Sequence, residues 1–274
     1  MKKKDIFSIL LIALPLYFTS AQEPVKHPIL TSRFQFGAGV YIPTQKVKFS
    51  VDGKSKDQLI EFDETFDFNN NRATPQFTFD WRFANKWRLG AEYFNASYAT
   101  KAVLKSDITA GDYTFNKGSN VGVGYTINLY RIFVGHLISS GQKHELGGGL
   151  GVHLLSIKPF IEGNIIVNEG DNTFKRVAGE ATAPLPNIAL WYYFAPTEKW
   201  AFTAKFDWFG ITVNEYSGSL WDLSPGVRYR FTKYFGLAID YRYFLVNAGI
   251  NQNQWNGSVD LSFSGPSFTL YGSF

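Results

Sequence analysis

From residue 33 to the end of the chain, hydrophobic and polar positions alternate with a period of two, in segments of about ten residues. Phe235, Leu237, Ile239, Tyr241 and Tyr243 fall on one face, and Gly236, Ala238, Asp240 and Arg242 on the other. Trp200, Phe202, Ala204, Phe206 and Trp208 oppose Ala201, Thr203, Lys205 and Asp207 in the same way. Phe77, Phe79, Trp81 and Phe83 oppose Thr78, Asp80 and Arg82, and Val227, Tyr229 and Phe231 oppose Arg228 and Arg230. Successive side chains of a strand point to opposite sides, so each segment predicts a strand with one greasy and one charged face. In a soluble sandwich the greasy face meets a second sheet. In a membrane barrel it meets lipid and the charged face lines a narrow lumen.

Three features select the barrel. Aromatic residues gather at strand ends (Trp81, Phe83, Trp87, Trp200, Phe231 and Tyr234), where interfacial girdles sit. Connections alternate between short turns, at 84–86, 139–143, 195–199 and 232–234, and long links, at 44–72, 101–120, 159–183, 213–221 and 247–260. Short periplasmic turns and longer external loops are the outer-membrane arrangement. The last strand, 267–274, ends the chain on Phe274, with Phe268 and Leu270 on the same face. A terminal aromatic there resembles the signal read by outer-membrane assembly machinery.

The fold class is therefore an all-β, transmembrane, antiparallel up-and-down barrel of about ten strands. The strands are read at 33–43, 73–84, 87–100, 121–138, 144–158, 184–195, 199–212, 222–232, 235–246 and 261–274. An even count returns both termini to the periplasmic side. The fourth and fifth strands have the least regular faces, diluted by Gly147, Gly148, Gly149 and Gly151. Inward glycines there would leave room for large lumen neighbours such as Arg131 or Phe133. The first link alternates in part, so it reads as protruding strands closing near Asp52-Gly53 and turning back at Asn69–Asn71.

Residues 1–21 read as a secretory signal: Lys2–Lys4, an apolar stretch from Ile6 to Phe18, and small residues at Thr19-Ser20-Ala21. The mature chain then starts at Gln22, with a periplasmic segment over 22–32 and the barrel over 33–274. The apolar stretch is too short for a comfortable helical span, and nothing longer follows it. The chain has 26 Phe, 15 Tyr and 7 Trp among 274 residues and no Cys, which excludes disulfides and thiolate chemistry. The net charge is +4, and the leader takes part of that excess with it. So small a balance, without a basic stripe, gives no case for nucleic acid.

On this map the lumen carries Asp80, Arg82, Arg88, Glu92, Arg131, Glu145, Lys205, Asp207, Arg228, Arg230, Asp240 and Arg242. The near balance of sign predicts an ion-pair network filling the interior, since an isolated charge in so narrow a space is costly. The slight excess of arginine leaves a constricted, weakly anion-preferring passage as the alternative. Enzymatic readings fare worse. Omptin-type proteases need Asp–Asp and Asp–His pairs high on the external side. His27 precedes the barrel, His136 and His144 lie beside a periplasmic turn, and only His153 sits toward the outer half, with no obvious acidic partner. His153 and Ser156 are three apart and fall on opposite faces, which no His–Ser nucleophile tolerates. Glu61, Asp63, Glu64 and Asp67 could attract calcium, but they lack a glycine-containing loop register and read as solvated external charge. No phosphate loop, dinucleotide fingerprint or zinc motif appears, so no catalytic residue, metal or cofactor is expected.

From Asp63 onward the chain resembles a family of uncharacterised outer-membrane barrels of Gram-negative bacteria. The resemblance is carried by Tyr130-Arg131, by Lys143–Gly147 followed by Gly149–His153, by Ala183–Pro186 and by Tyr216–Leu223. Gly257–Asp260 and the ending from Gly265-Pro266 to Phe274 extend it. It implies fold and location only, because the family has no assigned activity, and the stretch before Asp63 has no counterpart. The expected function is a structural or surface-interaction role among outer-membrane lipids, with an external ligand at 44–72 and 159–183. The narrow channel comes second, and an enzyme acting on lipid A or peptides third.

Overall fold

The computed structural model describes residues 26–53, 64–105, 107–110, 112–168, 171–251 and 255–274. The expected leader and cleavage site lie outside the described residues, as do Glu61 and Asp63, and only the backbone is described at Glu64 and Asp67. No helix among the described residues is long and apolar enough to cross a membrane, which says nothing about strands.

Among the described residues, fifteen strands and one short helix follow in chain order. They are α1 (Pro28–Thr31), β1 (Phe34–Tyr41), β2 (Thr44–Gly53), β3 (Glu64–Asn71), β4 (Thr74–Phe83), β5 (Trp87–Val103), β6 (Ile108–Ala110), β7 (Tyr113–Phe115), β8 (Asn120–Ser140), β9 (His144–Asn168), β10 (Asp171–Ala178), β11 (Ala181–Phe194), β12 (Trp200–Val213), β13 (Tyr216–Arg230), β14 (Phe235–Asn251) and β15 (Trp255–Ser273). β1 and β2 are successive lengths of one stave, broken at Pro43, and so are β3 with β4 and β10 with β11. The ten staves pair antiparallel with their sequence neighbours, and β15 pairs with β1 to close the ring. Closure leaves the sheet no free edge over its membrane height.

The outward face is apolar over that height. Phe77, Leu150, Ile188, Phe202, Trp221, Ile239 and Leu270 are all exposed. Thirty-odd exposed large hydrophobics cannot be left to water, and an apolar band flanked by aromatic girdles is what a barrel turns to hydrocarbon. One girdle follows the short turns: Phe34 stacks with Trp81, Phe83 with Trp87, and Tyr234 with Phe274. The other lies toward the long hairpins, where Tyr93 stacks on Tyr130, Trp208 meets Trp221 edge-on, and Tyr241 packs on Tyr243.

All ten staves occupy the sequence regions read as strands, but they run farther at the long-hairpin end. The links read at 159–183, 213–221 and 247–260 are largely strand, and 101–120 contains the β6–β7 hairpin. The physical reason is that the two faces exchange polarity. On β8 the outward residues Tyr130, Ile132 and Val134 are exposed and apolar. Beyond Tyr130, the inward Leu129, Ile127, Tyr125, Val123 and Val121 become the apolar set, while Asn128 and Thr126 face out. The same switch on other staves gathers Val47, Phe94, Leu155, Ile157, Leu220, Val246 and Leu261 into a core lying beyond the girdle, with Leu104 and Phe115 packed against it. The barrel therefore continues past the bilayer as a structure folded the way a soluble protein is, apolar inside and polar outside.

At the short-turn end the segment before the barrel folds into the mouth. Pro at its first position favours the single turn of α1, and the His27 ring Nδ1 accepts the Ile29 N–H at 3.1 Å as its cap. Ile29 is buried against Phe133, Trp191, Tyr193 and Ala201. Residues 26–32 are thus a plug and not a free tail.

Candidate functional site in the barrel interior

Every one of the twelve charged residues expected in the lumen lies on the inward register of its strand, and they divide into tiers. Near the short-turn girdle, Arg88 donates to Asp80 at 3.1 Å and to Glu145 at 3.1 Å, and Arg82 donates to Glu145 at 2.7 Å. Trp191 Nε1 gives Glu145 a further bond at 2.8 Å, and Arg82 also holds the Ile29 carbonyl of the plug at 3.2 Å. Arg88 lies 4.7 Å from the Tyr193 ring centroid. Level with the other girdle, Arg131 grips Asp207 through both Nε and Nη2, the latter at 2.9 Å. Arg242 grips Asp222 the same way, with Nε at 2.9 Å, and also reaches Glu92. Bidentate pairing of this kind is how a buried guanidinium is compensated.

Between the tiers the interior is looser. Asp240 receives Thr203 Oγ1 at 3.5 Å, Arg228 donates to Gln35 at 3.1 Å, and Lys205 sits opposite Trp191 on β11. Arg230 lies at the mouth, where it reaches Glu198 of the short turn at 3.4 Å. Gly147, Gly149 and Gly151 do face inward, but the room they leave goes to other neighbours than Arg131 or Phe133. A Cβ at Gly147 would lie 1.9 Å from the Trp191 ring, and one at Gly151 would lie 3.1 Å from the Asn187 amide. Phe133 instead occupies the hollow over Gly90 on the adjacent strand.

His153 is the main correction. Sequence reasoning found it no acidic neighbour. In the structure its Nε2 lies 3.4 Å from Asp222 and 3.8 Å from Asp207, and its Nδ1 lies 3.0 Å from the Asn187 side chain. Asp222, Asn187, Gln35 and Trp191 were not foreseen as members of this interior. Asp222 shares its parity with Arg228, the one signal that could have placed it inward.

The donor atoms of His153, Asp207 and Asp222 lie within 4.8 Å of one another, a spacing a metal ion could use. The charge around them argues otherwise. Both carboxylates are already clamped by arginines, and a cation would have to enter beside two guanidinium groups. The cluster lies deep in the interior. His153 is fully buried, with Phe244 6.0 Å away on the long-hairpin side. Phe94, Phe244 and Phe263 pack against one another at about 6 Å as a roof on that side, and Arg242 lies beneath Phe94 and Phe244. At the opposite mouth, burial and the nearby Arg228 and Arg230 hold the His27 imidazole of the plug down at about 4.

No family model and no curated protein matches the sequence. Solved structures do. The outer membrane protease OmpT of Escherichia coli shares 11% identity, over 88% of this chain and 97% of that one, with a TM-score of 0.55. The toluene transporter TodX of P. putida follows at 9% identity, 90% and 91% coverage, and a TM-score of 0.34. The attachment invasion locus protein Ail of Yersinia pestis stands at 8% identity, 84% and 97% coverage, and 0.28. At such identity the likeness to OmpT concerns fold alone. That fold is the closed antiparallel β-barrel of Gram-negative outer-membrane proteins, here with ten staves.

Proposed function

We propose that the chain is exported by its 1–21 leader and inserted among outer-membrane lipids by machinery that reads the last strand. There it serves as a closed platform presenting its long hairpins to the outside. The observation that carries this reading is the filled interior. The plug at the periplasmic mouth, two arginine–carboxylate tiers and the phenylalanine roof lie in series along the lumen. Arg82, Arg88, Arg131 and Arg242 all rest on carboxylates, so the arginine excess offers anions little free charge. With the interior so occupied, contacts with other molecules fall to the outside. The strands and links within 44–72 and 159–183 are the surface on which a partner would dock. His153, Asp207 and Asp222 are all buried, which supports a non-enzymatic role.

Planar-bilayer recording on the purified protein tests this. The expected trace is silent, for the native chain and for Arg228→Ala alike. Stepwise anion currents would replace the platform with a solute passage.

A further inference from the structure

The outward face of β12–β15 carries a feature that the platform reading leaves unused. Just beyond the girdle, a cavity of about 550 Å³ opens on the outer surface, lined by Trp208, Gly210, Ser219, Asn247 and Asp260 among others. Its floor is one cross-strand row: Gly210 pairs with Ser219, Ser219 with Asn247, and Asn247 with Asp260. The row beneath it starts Trp208, Trp221, Leu245. Both indoles are substantially exposed and meet edge-on at 6.3 Å between centroids. Each row is a line of side chains directly abreast on one face of the sheet. The trough therefore has an apolar aromatic sill and a polar floor. Asn247 Nδ2 donates to Ser219 Oγ at 3.3 Å, and the oxygen of the same amide adds an acceptor to the floor. Asp260 adds an acceptor at the far end, and glycine at 210 keeps the floor low between the side chains.

We infer that this trough binds a saccharide, namely the sugars of an outer-leaflet glycolipid. A sugar ring offers an apolar C–H face suited to an exposed indole and a rim of hydroxyls suited to serine, asparagine and carboxylate acceptors. Height selects the source. Aromatic girdles mark the bilayer interface, so a floor one register pair beyond Trp208 and Trp221 lies where membrane-anchored sugars sit. This inference rests on the orientation given under the proposed function, with the long hairpins outside.

The test uses the full processed chain in detergent, with intrinsic tryptophan emission as the readout. Two probes are titrated: intact glycolipid of the outer leaflet, and the oligosaccharide freed from it. Both should quench or shift the emission saturably, and Asn247→Ala or Trp208→Ala should weaken both by about tenfold or more. Glycolipid binding that is untouched by either variant, or that is absent for the free oligosaccharide, assigns the contact to acyl chains and overturns the inference. So does an unchanged signal with both probes while the barrel shows heat-modifiable migration in gels. A processed chain that stays monodisperse without detergent would instead remove the membrane reading itself.

Discussion

At the scale of single residues, the interior distinguishes charges with one partner from charges with two. Arg131 is buried and bonds to Asp207 alone among the described carboxylates, whereas Arg242 bonds to both Asp222 and Glu92. Removing the sole partner strands a buried guanidinium, which costs about 3–5 kcal/mol. Asp207→Asn should therefore lower the free energy of urea unfolding in detergent by that order, and Asp222→Asn by clearly less. Equal losses would show that the two pairs are not independent. The outer face makes a second residue-scale distinction. Ile239 is exposed midway between the two girdles on β14, and arginine there should cost about 2–4 kcal/mol if hydrocarbon surrounds it. Ser156 lies on the outward face of β9 just beyond the girdle level, and arginine there should cost about 0–1 kcal/mol. A uniform tolerance of both changes would point to a water-soluble sheet.

At the scale of elements, the plug carries its own condition of stability. Docked, His27 titrates near 4, while a released histidine titrates near its ordinary 6.5. The released form therefore takes up a proton first as pH falls, and docking stability is lost between about 6.5 and 4. Protection of residues 26–33 from hydrogen exchange should fall across that window and recover at neutral pH. His27→Asn keeps a side-chain cap for α1 and should flatten the pH dependence. The elements also show where sequence reading succeeds and where it stops. The ten staves were legible because lipid on one side enforces a strict two-residue period, as from Phe235 to Tyr243. Their outer ends were not, because beyond Tyr130 or Leu245 water replaces lipid and the apolar parity inverts. A reader following one face sees noise, as on β8 and β9, when two regular patterns meet out of phase. The inward charges were legible by parity, but the pairing of His153 with Asp207 and Asp222 was not. Those residues stand on β9, β12 and β13, and they meet across the lumen, which no spacing along the chain encodes.

At the scale of the whole molecule, closure is layered. The plug seals one mouth through Ile29 and the bond from Arg82 to its carbonyl, and it meets the tier around Asp207 and Asp222 only at second hand, through Phe133, whose ring lies against Arg131. That tier is held by its own bidentate pairs, and the roof of Phe94, Phe244 and Phe263 is held by mutual packing together with Tyr41, whose hydroxyl donates to the Phe263 carbonyl at 3.0 Å. The plug and the roof belong to separate buried clusters and should fail separately, since energetic coupling needs a shared partner or network. A processed chain beginning at Arg33, with the plug deleted, should therefore insert into a planar bilayer and remain as silent as the native barrel. The deletion should still expose the short-turn mouth, read as faster hydrogen exchange around Trp191 and Tyr193 with no change at Phe94 or Phe244. Current steps in the plugless chain would mean that the arginine tiers yield to ions once the mouth is open. In that case the N-terminal segment would be a gate, and the platform would have to be reconsidered as a channel held shut.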